Sequence, residues 1–158
     1  MDFKSTLKNG CFALELKGNT KEEVITEMVD LLSTSGKISD HDTALRSVLE
    51  REKKMSTGMQ CGVAIPHGKI EGIDDIAVVF ALKKEGIDFG ALDGQPSRIF
   101  VMTISSLTRT GPHIQYLAEI SKILNIPSVR ERLLAAATPD EVVQILTTGV
   151  HSSAPVHC

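Results

Sequence analysis

The stretch Ser56-Thr57-Gly58-Met59-Gln60-Cys61-Gly62-Val63-Ala64-Ile65-Pro66-His67-Gly68-Lys69 runs from a short apolar segment into a proline, a histidine and a glycine. Residues 63–65 read as the buried end of a strand. Pro66 fixes the local φ, and Gly68 either leaves space beside the chain or permits a backbone conformation denied to other residues. A histidine held in a turn between them presents one ring nitrogen in a fixed direction. His67 is therefore the leading candidate for the working residue.

Upstream, the spacing predicts a strand over residues 11–16, closed by Lys17-Gly18-Asn19. Thr20, with Glu23 three positions on, predicts a capped helix whose apolar stripe is Val24, Met28, Leu31 and Leu32, stopped by Ser35-Gly36. A second helix is expected from Ser39 or Asp40, with Ala44, Leu45, Val48 and Leu49 inward and Arg51 among the polar residues at its end. Downstream, residues 73–82 are dense in Ile, Val and Phe and predict a central strand; Gly86, Gly90 and Gly94 mark turns, and 99–104 is a further strand. Gly111-Pro112 predicts a helix start ahead of the apolar period in 113–124. Ser128, with Glu131, caps another helix to about Ala136, and Thr138-Pro139, with Glu141, opens a last one ending at Gly149. Helices and strands interleave without a regular βαβ repeat and without GxGxxG. The expected class is α/β, one mixed sheet covered by helices. Residues 151–158 are expected to be a disordered tail.

Size and charge narrow the function. A chain of 158 residues, 42% apolar and 23% charged, fits a single ordered domain. Five Phe, one Tyr and no Trp offer no stacking platform for bases, and a net charge of −3 gives no general attraction to nucleic acid or anionic lipid. No signal segment and no membrane-length apolar run are present, so a cytoplasmic protein without membrane insertion is expected. The three cysteines, Cys11, Cys61 and Cys158, show no CxxC spacing, and reduced thiols are expected in that compartment.

Of five histidines, His41, His151 and His157 lie in polar or terminal contexts and read as solvated. His67 and His113 each lie at an element boundary beside Pro and Gly, where sites gather in mixed sheets. One reading of His67 is structural, a turn histidine satisfied by a backbone carbonyl. The other is nucleophilic: a neutral imidazole attacks near neutral pH and can carry a phosphoryl group as a phosphoramidate. Arg51 could then neutralise the group with its guanidinium fork, and His113 could donate a further hydrogen bond. Thr57 and the backbone N–H groups at 57–58 are additional candidate donors. Arg51 also reads simply as a solvated cation suiting a helix C-terminus. A metal centre of His67, His113 and Cys11 or Cys61 matches no standard zinc spacing, and Ser56 is not in a GxSxG elbow. No metal and no organic cofactor is expected.

Leu49-Glu50-Arg51-Glu52-Lys53, Ser56-Thr57-Gly58 and Gly62-Val63-Ala64-Ile65-Pro66-His67-Gly68-Lys69 together resemble the EIIA domain of the bacterial phosphoenolpyruvate-dependent phosphotransferase system, in its fructose–mannitol–nitrogen-regulatory branch. Asp88-Phe89-Gly90-Ala91-Leu92-Asp93-Gly94-Gln95-Pro96, His113-Ile114-Gln115-Tyr116-Leu117-Ala118-Glu119-Ile120-Ser121, Arg132-Leu133-Leu134 and Glu141-Val142 extend the likeness in the same order over residues 5–148. The resemblance implies a three-layer α/β/α sandwich with a mixed β-sheet, one EIIA type-2 domain over residues 1–150. It implies that His67 is the phosphorylated histidine, with His113 and Arg51 stabilising the phosphoryl group. The implied donor is HPr or its nitrogen-branch relative, and the acceptor is an EIIB cysteine or a regulatory target protein. The chain departs from the common pattern at Met59-Gln60-Cys61 and at the polar Ser105-Ser106-Leu107-Thr108.

Residues 18–24 and the helix after them look closer to the nitrogen-regulatory type, which acts by phosphorylation-dependent partner binding and has standalone members. The alternatives are a sugar-specific EIIA component that feeds EIIB during uptake, a non-catalytic interaction module, and the cytosolic domain of an anion transporter of similar fold.

Overall fold

Strict alternation on two long strands builds the frame. The computed structural model describes residues 3–73, 76–108 and 110–149. In β4 (Ala77–Ile87), Ala77, Val79 and Ala81 enter one core while Val78, Phe80 and Leu82 enter another; in β5 (Ser97–Ser106), Phe100, Met102 and Ile104 share the first core and Ile99 and Val101 the second. A strand apolar on both faces must be covered on both, so this pair is central. The two run antiparallel with Val79 opposite Met102. The short β1 (Cys11–Ala13) lies parallel to β4. Along the other edge of β5 run β2 (Val63–Ala64) and then β3 (His67–Ile70), both parallel to it. The sheet is mixed, in the order β1-β4-β5-β2, with β3 also beside β5.

On the first face lie α2 (Lys21–Thr34) and α3 (His41–Lys54), which bury Val24, Ile25, Met28, Val29, Leu32, Ala44 and Val48. The second face is covered by α1 (Phe3–Lys8), α4 (Thr110–Leu124), α5 (Pro127–Leu134) and α6 (Pro139–Gly149) through residues such as Leu7, Ile120, Leu133 and Leu146. The result is a three-layer α/β/α sandwich around a mixed sheet. Three helix starts are set as the sequence predicts. Thr20 accepts from Glu23 N at 3.2 Å, Asp40 from Thr43 N at 3.1 Å, and Thr138 from Glu141 N at 3.2 Å.

Several elements differ from expectation; among them, β1 ends at Ala13 and not at residue 16, and α4 begins at Thr110, ahead of Gly111-Pro112. His67 opens a strand rather than sitting in a turn, because Thr103 N donates to Pro66 O at 3.1 Å and carries the ladder past the proline. β4 runs to Ile87, beyond the predicted end at residue 82, since the Lys83 ammonium is buried but held by Leu16 O, Asn19 Oδ1 and Glu85 Oε1. α5 starts at Pro127 behind Ile126, with no side-chain cap, so Ser128 is inside the helix and not its cap; Pro at this position needs no donor partner. The six-residue α1 is too short for its period to be read. Cys11 is a free, buried thiol, whereas Cys61 is disulfide-bonded, against the expectation of reduced cysteines. Residues 151–158, read as a tail, lie outside the described residues. Among the described residues no helix is long and apolar enough to cross a membrane.

Candidate active site

The face that is apolar along Ile99 and Val101 turns polar at the C-terminal end of β5, where the same alternation presents Thr103 and Ser105. On the neighbouring β3, His67 pairs with Thr103 and Lys69 with Ser105. His67 and Lys69 are half-buried, and Gly68 between them faces α3. A Cβ on Gly68 would lie 2.8 Å from Ser47 Oγ and 3.0 Å from Val48 Cγ2, so the glycine serves close approach of helix to strand, not an unusual φ. Ser47 Oγ ties the two elements by donating to Lys69 O at 3.0 Å and accepting from Lys69 N at 2.9 Å.

His67 Nδ1 lies 2.9 Å from Ile65 O. A carbonyl can only accept, so this bond places the imidazole proton on Nδ1 and leaves the lone pair on Nε2. Burial lowers the His67 pKa; the charges of Arg51 and Lys69 act the same way, against the opposing Ile65 carbonyl and Glu52 carboxylate. The ring is thus neutral near pH 7 with a directed lone pair.

His113, in the first turns of α4, is only 2% exposed. Its ring centroid is 6.0 Å from that of His67, edge-on at 72°. Nε2 shares a hydrogen bond of 2.8 Å with Thr103 Oγ1 and Nδ1 one of 2.8 Å with Ser105 Oγ. Burial, then the His67 and Lys69 charges, hold its pKa down at about 4. The structure therefore brings His67 and His113 together. Arg51 differs: its Nη1 donates to Met55 O at 2.8 Å, closing the end of its own helix, although its charge still acts on His67.

The donors expected at Thr57 and Gly58 are already engaged. Thr57 N and Oγ1 both donate to the Glu52 carboxylate at 2.8–2.9 Å, and Gly58 N donates to Ser56 Oγ at 3.0 Å. Glu52 is buried and faces the Lys21 ammonium at 3.6 Å, which also stacks on Phe89 at 4.7 Å. Reading the end of this helix, at Arg51, as solvated does not foresee this buttress beside it. The signal was present, since 44, 48 and 52 continue one i, i+4 row. Thr103, Ser105 and Lys69 were likewise missed as site residues. Among the described residues no three His, Cys, Asp or Glu side chains converge, so the pair His67–His113 has no third metal ligand there; Cys11 belongs to the core on the opposite face of the sheet.

Four large apolar side chains are more than half exposed: Met55, Leu92, Leu107 and Ile114. Met55 follows Arg51 at the end of α3, Ile114 adjoins His113, and Leu107 lies two residues past Ser105. Leu92 is tied through its N–H to Gly58 O.

Residues 5–149 match the family model for the phosphoenolpyruvate-dependent sugar phosphotransferase system, EIIA 2. The chain belongs to this EIIA family. Its relatives fall into two kinds. It is 37% identical over 134 residues to the fructose-specific EIIA component of Haloferax volcanii, covering 85% of this chain and 87% of that one. It is 30% identical over 141 residues to the nitrogen regulatory protein of Pseudomonas aeruginosa, covering 89% and 91%. The fructose-specific EIIABC component of Bacillus subtilis is 32% identical over 92% of this chain, which spans only 23% of that longer relative. The crystal structure of IIA-Ntr from Neisseria meningitidis superposes with a TM-score of 0.80 at 29% identity, over 85% of this chain and 92% of that one. Membership in this EIIA family makes the chain a phosphotransferase-system component of the phosphocarrier type, and both specific types are represented among its relatives.

Proposed function

We propose that His67 Nε2 is the phosphoryl acceptor of this carrier. The observation that carries this reading is the Nδ1 bond to Ile65 O, which leaves Nε2 of the half-buried ring unprotonated. In the forward step the Nε2 lone pair attacks phosphorus on the phosphorylated donor. The Nε2–P bond forms as the bond from phosphorus to the donor breaks, and the electron pair leaves with the donor. Nδ1 keeps its proton, and the Ile65 carbonyl stabilises the positive charge that develops on the ring. Arg51, released from Met55 O, and His113 are the groups that balance charge on the phosphoryl oxygens. No metal or organic cofactor enters these steps.

The donor is HPr or its nitrogen-branch relative, and residues 1–150 form the functional domain of a cytoplasmic protein. Two readings of the acceptor rest on separate observations. The likeness to IIA-Ntr supports the nitrogen-regulatory type, in which phosphorylation switches partner binding by adding charge at the site. The 37% identity to a fructose-specific component supports passage of the group to an EIIB cysteine.

Incubation with phosphoenolpyruvate, enzyme I and HPr, read by intact mass, tests the shared chemistry. One acid-labile phosphoryl group should appear and be absent in His67→Ala; labelling that survives in His67→Ala refutes the assignment. Loss of the label to added EIIB then selects the sugar-transport reading, and retention selects the regulatory one.

A further inference from the structure

Both ring nitrogens of His113 are occupied by hydroxyls, yet a neutral imidazole has one proton to give. One hydroxyl must accept from the ring while the other donates to it. Register separates the two edges of the ring. Thr103, on Nε2, stands opposite His67; Ser105, on Nδ1, stands opposite Lys69. The Lys69 ammonium forms no ion pair among the described residues, and its charge acts on His113. A cation favours a lone pair on the edge it faces over an N–H there.

The two arrangements also differ in what they offer towards His67. With the proton on Nδ1, Nε2 turns a lone pair, already holding the Thr103 proton, to the His67 side, and an anionic group there meets no donor. With the proton on Nε2, Thr103 accepts from the ring and its own hydroxyl proton remains to be given. Two donors then face His67.

We propose that Ser105 is a positioning residue, which donates its hydroxyl proton to His113 Nδ1 and locks the ring in the Nε2–H tautomer, so that this N–H and the Thr103 hydroxyl face a phosphoryl group on His67. When that group arrives, its oxygen replaces Thr103 Oγ1 as the acceptor for Nε2–H, and Ser105 keeps the ring from turning. No covalent bond changes at either hydroxyl. The role in transfer rests on the reading of His67 as acceptor; the tautomer itself does not.

The test uses the full chain labelled with 15N-histidine, in the unphosphorylated state at neutral pH. Two-bond 1H–15N correlations should show His113 as the Nε2–H tautomer in the wild type and in Ser105→Thr. In Ser105→Ala the pattern should become a mixture of tautomers, with phosphoryl uptake from phosphorylated HPr slower by about tenfold, while Ser105→Thr stays within about twofold of wild type. An Nδ1–H wild type overturns the proposal, as does Ser105→Ala with pattern and rate both unchanged. Should Ser105→Ala fail to fold, the wild-type tautomer and the Ser105→Thr rate decide alone. A wild type that shows the Nε2–H pattern but takes no phosphoryl group would instead sink the reading of His67.

Discussion

At the scale of single residues, the candidate site consists of two imidazoles kept neutral mainly by burial but bonded differently. His67 keeps one nitrogen for a backbone carbonyl and leaves the other open; His113 is enclosed between two hydroxyls. The enclosed ring has a consequence for stability. Its folded pKa of about 4 lies below the ordinary 6.5, so between these values the unfolded chain binds a proton that the native protein does not. Unfolding is therefore favoured as pH falls through this window, by about 3 kcal/mol in total. Urea titrations at several pH values should show this loss, and His113→Gln should flatten the dependence. An equally steep decline in His113→Gln would assign it to other groups. The local motif around His67 was legible because proline and glycine leave a strong sequence signal. The partners of His113 were not, because a serine in a polar run looks the same whether it meets solvent or an imidazole.

Secondary-structure elements set the positions of these residues. The end of α3 is held to the following loop by Glu52, whose carboxylate takes both donors of Thr57 and faces Lys21 from α2. Glu52→Ala leaves the Thr57 N–H and hydroxyl without their acceptor, removes the carboxylate facing Lys21, and should cost about 2–4 kcal/mol. The measurement is a shift of the urea midpoint at unchanged slope, and a change below about 0.5 kcal/mol would show that water replaces the carboxylate. The helix starts at Thr20, Asp40 and Thr138 were readable, since a cap depends on residues three positions apart. The extent of β4 and the strand at His67 were not, because both are set by bonds to distant segments.

For the whole molecule, the decisive feature is that one end of a sheet buried on both faces turns polar at the candidate site, with Met55, Leu107 and Ile114 exposed close in sequence to its residues. Exposed apolar residues around a charged centre suit a partner that docks and leaves. Ile114→Asp, beside His113 but pointing to solvent, should slow phosphoryl uptake from phosphorylated HPr by about tenfold at limiting donor while leaving the thermal midpoint within about 3 °C. Saturating donor should restore most of the rate. An unaltered rate at limiting donor would place Ile114 outside the docking surface.

The sequence alone determined the α/β class, the helix starts at Thr20, Asp40 and Thr138, the two inner strands and the choice of His67 and His113 as candidate site residues. Each of these is written in short-range patterns: period 2, period 3.6, a cap at three residues, a proline before a histidine. Tertiary structure alone decided that Thr103 stands opposite His67, that Glu52 is buried, that Arg51 folds back on Met55 and that His113 is enclosed. These facts depend on strand register and on which helix covers which face, and neither leaves a mark within any one segment of the chain.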